Sequence, residues 1–235
     1  MIWTKIYLCQ PDNNKGCSAC CGLFNFKDIT REKLSQYLEE GKDRTSEIDN
    51  VHFDDRIEYK KSINTRDMTS YICPYQGFVR DRSPGCLIHP ENNTEDLRDI
   101  SFYGRKICSG FLCPAHRILT KNEKQVLIEF IDDWYLYTVA IIDPYSFRWI
   151  LDFIHGRFGG NIKRTEAFKE LLNLALSIHA HFIQSIDGPL FFYSVSEYNI
   201  GSKKISLNSD NDAMDQVRQK ITNALIESYN SRKGV

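Results

Sequence analysis

The sequence has almost no excess charge of either sign. Its 235 residues carry 30 lysines and arginines against 31 aspartates and glutamates, which gives a formal net charge of −1. A chain with so little net charge has no overall positive field that would attract nucleic acid or an anionic membrane. We therefore expect neither of these as a partner, while a protein partner and the oligomeric state stay open.

Long apolar runs are also missing. The most apolar region, residues 134–154, is interrupted by Asp143, Arg148 and Asp152, whereas a membrane-spanning helix needs about 20 mostly apolar residues. The segment formed by residues 1–8 is too short to be a signal peptide, and polar residues follow it. The sequence therefore predicts a cytoplasmic protein, in which thiols stay reduced and disulfides are rare.

Cysteine is absent from the whole C-terminal half. All eight cysteines lie at or before position 113, and the last 122 residues contain none. Three of them fall in the sequence Gly-Cys-Ser-Ala-Cys-Cys-Gly at positions 16–22. The Cys-x-x-Cys spacing of Cys17 and Cys20 lets two sulfurs reach one metal ion. The side chain of Cys21 diverges from that of Cys20, so it indicates a second metal, the edge of a cluster or a packing role.

The remaining five cysteines occur singly, two of them directly before a proline. In a reducing compartment such clustering favours metal binding, with buried unmetallated cysteines as the alternative. The candidate ligands are Cys9, Cys17, Cys20, Cys21, Cys73, Cys86, Cys108 and Cys113. His89 and His116 each follow a cysteine by three residues, and we expect them beside the metal or on the surface rather than bound to the metal.

Zinc and iron–sulfur clusters are both compatible with these cysteines. Either centre takes four thiolates, so eight cysteines could make two sites. Zinc fingers usually present two Cys-x-x-Cys-like pairs, but here only one such pair exists. Bacterial ferredoxins also have a proline directly after a ligand cysteine, as at Cys73 and Cys113. The pattern slightly favours an iron–sulfur cluster, and zinc stays open.

The order of the cysteine motifs resembles that of the CxxCxxCC family, which comprises zinc- or iron-chelating proteins with eight cysteines. The matching motifs, which together cover residues 9–117, are Cys17-x-x-Cys20-Cys21, Cys73-Pro74-Tyr75, Gly85-Cys86-Leu87-Ile88-His89-Pro90 and Cys108-x4-Cys113-Pro114. Asn14 stands where the family has its first cysteine, so Cys9 would replace that ligand through a longer loop. The segment between Cys86 and Cys108 is also longer than in the family pattern. The resemblance implies a metal centre in this half of the chain and nothing about the other half.

The apolar patterns predict an α+β fold with two regions packed as one unit. A cysteine-rich half of loops and a small sheet, residues 1–118, is organised around the metal centre, and residues 119–235 are mainly helical. In the first half we expect a helix capped by Asp28 or Thr30 and ended by Gly41. We also expect short strands within residues 2–8, 57–63 and 68–72.

Stronger helix signals occur in the second half. A capping box at Thr120 and Glu123 predicts one helix that continues past position 134. Further helices should begin at Asp143-Pro144 and at Thr165, and Ser209 or Asp210 should cap the last one. Residues 190–195 and 204–207 read as the two strands of a hairpin.

These observations predict a metal-binding protein whose centre has a structural or electron-transfer role, and two alternatives stay open. One is a cluster-dependent enzyme of the radical or methyl-transfer type, by analogy with a flagellin lysine methylase whose cysteine cluster is similar. The other is a protein-interaction module that zinc holds together. The sequence marks no base for Cys9 as a nucleophile. We expect the adjacent Asp132 and Asp133 to be solvated, and His179 and His181 to lie on different sides of a helix.

Overall fold

A computed structural model describes residues 6–12, 15–48, 59, 61–66, 70, 72–80, 82–159, 162, 165–188, 190 and 204–233. Within these residues the fold is mostly helical, with a small two-stranded antiparallel sheet. It therefore has the α+β composition that the sequence predicts. No helix in the described part of the chain is both long and apolar enough to cross a membrane.

The cysteine-rich half is built from short elements. In chain order they are 3-10 turns at Ala19–Cys21 and Leu23–Asn25, helices α1 (Arg31–Glu39) and α2 (Gly41–Ile48), strands β1 (Gln76–Arg80) and β2 (Ser83–Cys86), a 3-10 turn at Arg98–Ile100, and helices α3 (Arg105–Gly110) and α4 (Ala115–Ile118). The strands are antiparallel, with Gln76 opposite Cys86 and Gly77 opposite Gly85. The hairpin therefore carries one cysteine at its end.

The cap of α1 is predicted correctly, because the Thr30 side chain accepts a hydrogen bond from the Lys33 amide. This helix ends at Glu39 with Glu40 as its C-cap, close to the predicted end, but Gly41 then begins α2, which the sequence did not predict. A Cβ atom at this position would lie 2.6 Å from the Gln76 carbonyl oxygen. The glycine is therefore needed for the close approach of α2 to β1.

The predicted strands of this half are not found in its described residues. Residues 59, 61 and 62 are helical, residues 6–8, 63, 70 and 72 lie outside strands, and the rest of these segments lies outside the described residues. Short apolar runs do not distinguish a strand from a buried turn or helix by periodicity. Here Tyr59 is placed by a long-range contact, a 2.5 Å hydrogen bond between its hydroxyl and that of Tyr37.

The second half consists of longer helices with side-chain caps. They are α5 (Lys121–Phe130), α6 (Trp134–Ile142), α7 (Pro144–Phe158), α8 (Glu166–Gln184) and α9 (Asp212–Lys233). Both hydrogen bonds of the predicted capping box at Thr120 and Glu123 are present. Asp143 caps α7 and Thr165 caps α8, as the sequence predicts.

Three predictions for this half are wrong. The single helix after Thr120 is two helices, because Asp133 accepts a hydrogen bond from the Leu136 amide and starts α6. The cap of α9 is Asn211, whose side chain accepts from the Met214 amide at 3.0 Å. Residues 204–207 lie in turns or irregular structure and not in a strand, and residues 191–195 lie outside the described residues.

Helix α6 is the centre of the core. All nine of its residues are buried, and it contacts α5, α7, α8 and the 3-10 turn Ala19–Cys21. The larger apolar cluster of the protein runs from Leu8 and Phe24 through α6 to Leu225 in α9. The two halves therefore share a core. The segment formed by residues 16–22, which we call the cysteine loop, contacts the central helix α6 directly.

Candidate metal centre

Glycine and backbone contacts place the cysteine loop against the hairpin and bring Cys9 beside it. A Cβ atom at Gly16 would collide with the Pro84 carbonyl oxygen and lie 2.7 Å from the Ser83 hydroxyl oxygen. The loop can therefore lie on β2 only because it has glycine at this point. The amide of Cys17 donates to the Cys9 carbonyl at 2.9 Å, so these two cysteines are neighbours despite their separation in sequence.

Four cysteines line one small cavity; we call them the first group. They are Cys9, Cys17, Cys20 and Cys113, and the cavity is closed by the apolar residues Leu8, Ala19, Phe111 and Ile141. The cavity volume is about 10 Å³, roughly the space that one water molecule needs. The Tyr137 hydroxyl donates to the Leu8 carbonyl at 2.9 Å and ties this segment to α6.

The other four cysteines, Cys21, Cys73, Cys86 and Cys108, form the second group. Cys73 is buried with Tyr75 and Ile88, and Cys21 and Cys86 pack against this cluster. The Cys73 amide donates to the Cys21 carbonyl at 2.8 Å. The Cys108 sulfur lies beside Ser101, whose neighbours Ile100 and Phe102 pack against the same cluster.

Gln76 and Ser101 fix the geometry of the second group. The side-chain amide of Gln76 donates to the carbonyl oxygens of Cys21 and Cys73 at 3.2 and 2.9 Å. The Ser101 hydroxyl oxygen lies 3.1 Å from the Cys108 sulfur. The two groups meet at the vicinal pair, where the thiol of Cys21 is hydrogen-bonded to the sulfur of Cys20. All eight candidate ligands therefore lie in two adjoining groups.

Four of the sulfurs accept the backbone amide two residues further along the chain: Ala19 to Cys17, Tyr75 to Cys73, Ile88 to Cys86, and Ala115 to Cys113. The Phe102 amide also donates to Cys73, and the His116 amide to Cys113. An N–H dipole directed at sulfur stabilises the thiolate form over the thiol. The amide donors therefore favour the thiolate form at these four cysteines.

Burial and mutual repulsion oppose ionisation of most of the thiols. Burial raises the pKa of Cys73, Cys86 and Cys113 to about 12, and nearby thiolates add to the effect. Burial and the same repulsion raise the pKa of Cys17 as well. The pKa of Cys20 is lowered, because it accepts a hydrogen bond from the Cys21 thiol. Several thiolates can therefore coexist here only with a cation to balance their charge.

The two candidate histidines differ in position. His116 lies beside the first group, with its Nε2 atom 3.9 Å from the Cys9 sulfur and 3.4 Å from the Leu8 amide. His89 lies in the turn after β2, where its Nδ1 atom accepts from the Glu91 amide at 3.2 Å. Burial lowers the pKa of His89, and the charge of Arg98 lowers it further. Of the two, His116 is the one that the structure brings to a cysteine.

The donor set fits a thiophilic metal, although the side chains are not arranged as a finished site. Within the described ranges, no group of three or more histidine, cysteine, aspartate or glutamate side chains is disposed to hold a metal ion. All eight cysteines are free thiols. Their sulfurs are soft ligands, four of them accept amide hydrogen bonds, and their surroundings are apolar. Metal ligation by each cysteine stays a prediction.

The aspartates and histidines that the sequence singles out in the helical half make structural contacts. Asp132 lies between the amino groups of Lys15 and Lys169, at 3.3 and 2.6 Å, and Asp133 caps α6. His179 is buried and His181 exposed, which confirms that they lie on different sides of α8. The sequence gives no sign that His179 is held by Asp143, whose Oδ2 atom lies 3.1 Å from its Nε2 atom.

Comparison of the chain with protein-family models, with curated proteins and with solved structures gives no match. The resemblance to the CxxCxxCC family therefore stays a prediction that depends on the cysteine motifs.

Proposed function

We propose that this chain is a cytoplasmic metal-binding protein whose cysteines supply the thiolate ligands for iron–sulfur binding, with an electron-transfer role. One observation carries the proposal: cysteines scattered from Cys9 to Cys113 come together in two adjoining groups. Free thiols throughout the set suit a reducing compartment.

The surroundings of the sulfurs support ligation over simple packing. A cysteine that serves only as a small apolar side chain needs no hydrogen-bond donor at its sulfur. Here four sulfurs accept backbone amides, and those of Cys9 and Cys108 lie beside His116 and Ser101. Such donors orient metal ligands and tune the centre that they hold.

Iron–sulfur chemistry suits these features better than zinc does. Amide donors to sulfur and the exposure of the centre are among the factors that set cluster potentials. Prolines follow Cys73 and Cys113, as in bacterial ferredoxins. When bound, an iron–sulfur cluster supplies one-electron redox chemistry. The role of the chain is then to hold the sulfurs, to exclude water with Leu8, Phe111 and Ile141, and to leave an edge exposed at Cys9.

The cavity of the first group is too small to be a substrate pocket. Its volume is about 10 Å³, far below the roughly 300–1,000 Å³ of a small-molecule site. A groove of about 490 Å³ lies elsewhere, between α8 and α9, and its lining includes no cysteine. The proposed metal centre is therefore separate from this groove.

The proposal is tested by purifying the protein without oxygen and measuring iron, acid-labile sulfide and zinc per chain, together with visible absorbance. We expect iron and sulfide in similar amounts, with a broad sulfide-to-iron charge-transfer band. A chain with all eight cysteines replaced by serine is the control for adventitious metal. Zinc without iron would overturn the iron–sulfur assignment. Neither metal, even after anaerobic reconstitution, would overturn metal binding itself.

A further inference from the structure

We propose that the eight thiols form two separate four-thiolate metal centres and not one shared centre. This inference rests on the metal binding proposed above. The first centre takes its ligands from the first group, and the second centre takes its ligands from the second group. Since a zinc ion or an iron–sulfur cluster is each held by four thiolates, each group supplies a full set of ligands.

The two groups rest on different parts of the structure. The first group surrounds its own cavity, against Leu8 and against Ile141 of α6. The second group packs on a separate apolar cluster at Tyr75 and Ile88, next to the hairpin. One centre would have to draw ligands from both sides of the Ala19–Cys21 turn. Two centres need no such rearrangement.

The two groups also have the same internal plan. Each contains one cysteine that precedes a proline, Cys113 in the first group and Cys73 in the second. Each contains two sulfurs that accept the amide two residues on: Cys17 and Cys113 in the first group, Cys73 and Cys86 in the second. Each has a further sulfur beside a polar side chain, Cys9 beside His116 and Cys108 beside Ser101. Such repetition is expected if each group is a complete site.

The vicinal pair explains how the groups adjoin. Cys20 lines the first cavity, while Cys21 packs on the cluster of the second group. Their side chains leave successive residues of a 3-10 turn, which ends at Gly22 with a φ of 85°. Neighbouring side chains of such a turn leave the backbone about 120° apart, and the Cys21 thiol still reaches the Cys20 sulfur by a hydrogen bond, so the two groups touch at this pair. The peptide bond between them therefore links a ligand of one centre to a ligand of the other, which gives Cys21 a defined role.

The division is tested by counting metal per chain in variants paired within and across the groups. We expect Cys113→Ser and Cys86→Ser each to halve the metal content. The double variant Cys17→Ser with Cys113→Ser should also keep half, because both changes fall in the first group. The double variant Cys86→Ser with Cys113→Ser should lose all of it. Complete loss in either single variant, or the same residual content in both doubles, would overturn the division.

A second measurement does not depend on the variants folding. Cobalt(II) titrated anaerobically into the metal-free wild-type chain reports tetrahedral thiolate sites through sulfur-to-cobalt charge-transfer absorbance. We expect the absorbance to saturate at two equivalents per chain. Saturation at one equivalent would overturn the division while leaving metal binding intact. No thiolate absorbance at all would count against the proposed function itself.

Discussion

The two halves of this protein are held together in different ways. Helices α5–α9 are 9 to 22 residues long, and α5, α6, α7 and α8 begin at a side-chain cap. In the cysteine half, helices α1–α4 are 4 to 9 residues long and the two strands have five and four residues. Short elements bury little apolar surface of their own, so small folds of this kind commonly depend on metals.

The contacts that shape the cysteine half join distant parts of the chain. Arg44 in α2 donates to the carbonyl oxygens of Tyr37, Pro74 and Gln76. Lys15 reaches α5, where its amino group donates to the Ile128 carbonyl at 2.5 Å. The cysteine half is therefore tied to the helical half by contacts such as that of Lys15. If this comparison is right, damage to the helices and damage to the cysteine loop should have separable effects.

The largest effect of a single substitution is expected at Asp143. Its carboxylate is fully buried, accepts the Ser146 hydroxyl at 2.5 Å and lies 3.1 Å from the His179 ring. The change Asp143→Ala leaves both partners buried without it, so the free energy of unfolding should fall by about 3 kcal/mol. Denaturant unfolding followed by circular dichroism measures the loss, and metal per folded chain should stay unchanged.

Asp133→Ala is the matched control for that change. Asp133 caps the preceding helix but its side chain is 33% exposed, and it also pairs with Arg31. Loss of an exposed cap should cost only about 1 kcal/mol. Equal losses of unfolding free energy in the two variants would show that the burial of Asp143 adds nothing to stability. Loss of metal in Asp143→Ala would contradict the separate effects expected for the two halves.

A smaller loss of stability but a larger loss of metal is expected for Gly16→Ala. The added methyl group would collide with the Pro84 carbonyl and force the cysteine loop away from β2. We expect a loss of about 1–3 kcal/mol together with reduced metal per chain. The control is Gly110→Ala in α3, where a Cβ atom meets nothing within 4 Å. Full metal content in Gly16→Ala would contradict the placement of the loop.

The smallest effect concerns pH and belongs to the helical half. Burial raises the pKa of Glu123, but hydrogen bonds from Arg148 and Thr120 outweigh it and leave the pKa below its usual value. A lowered pKa in the folded state adds stability above the unfolded pKa of about 4.3, and the gain is lost as pH falls through the folded pKa.

The change Glu123→Gln should therefore destabilise by less than about 1 kcal/mol at neutral pH and by nothing in acid. Unfolding free energies measured across a pH series test this expectation. The exposed Glu39 in α1, changed to Gln, serves as the control and should give a flat difference. If the difference in unfolding free energy between wild type and Glu123→Gln also did not change with pH, the pair of Glu123 with Arg148 would contribute nothing to stability.

The helical half could be predicted from its sequence because its signals are local. The capping box at Thr120, the Asp143-Pro144 start of α7 and the Thr165 cap each lie within four residues of what they cap. Local pattern does not reveal tertiary contacts, such as the close approach of β1 to Gly41, where a Cβ atom would lie 2.6 Å from the Gln76 carbonyl oxygen.

The candidate site was predictable only in part. Cysteine spacing predicts which residues belong to it, but it does not reveal their division into two groups. That division depends on the Cys17 amide meeting the Cys9 carbonyl and the Cys73 amide meeting that of Cys21. The sequence near the cysteines also does not indicate that Ile141 lines the first cavity or that Tyr137 binds the Leu8 carbonyl, because both residues are distant along the chain.

Hydrogen exchange, compared between metal-loaded and metal-free protein, tests most directly whether metal holds the cysteine half together. The account predicts that metal removal strips protection from the amides of Cys17 and Cys73, each of which donates to a cysteine carbonyl oxygen within its own group. The amides of α6 and α8 should keep theirs, because buried side chains hold those helices. Unchanged protection at Cys17 and Cys73, or a loss spread evenly over both halves, would contradict it.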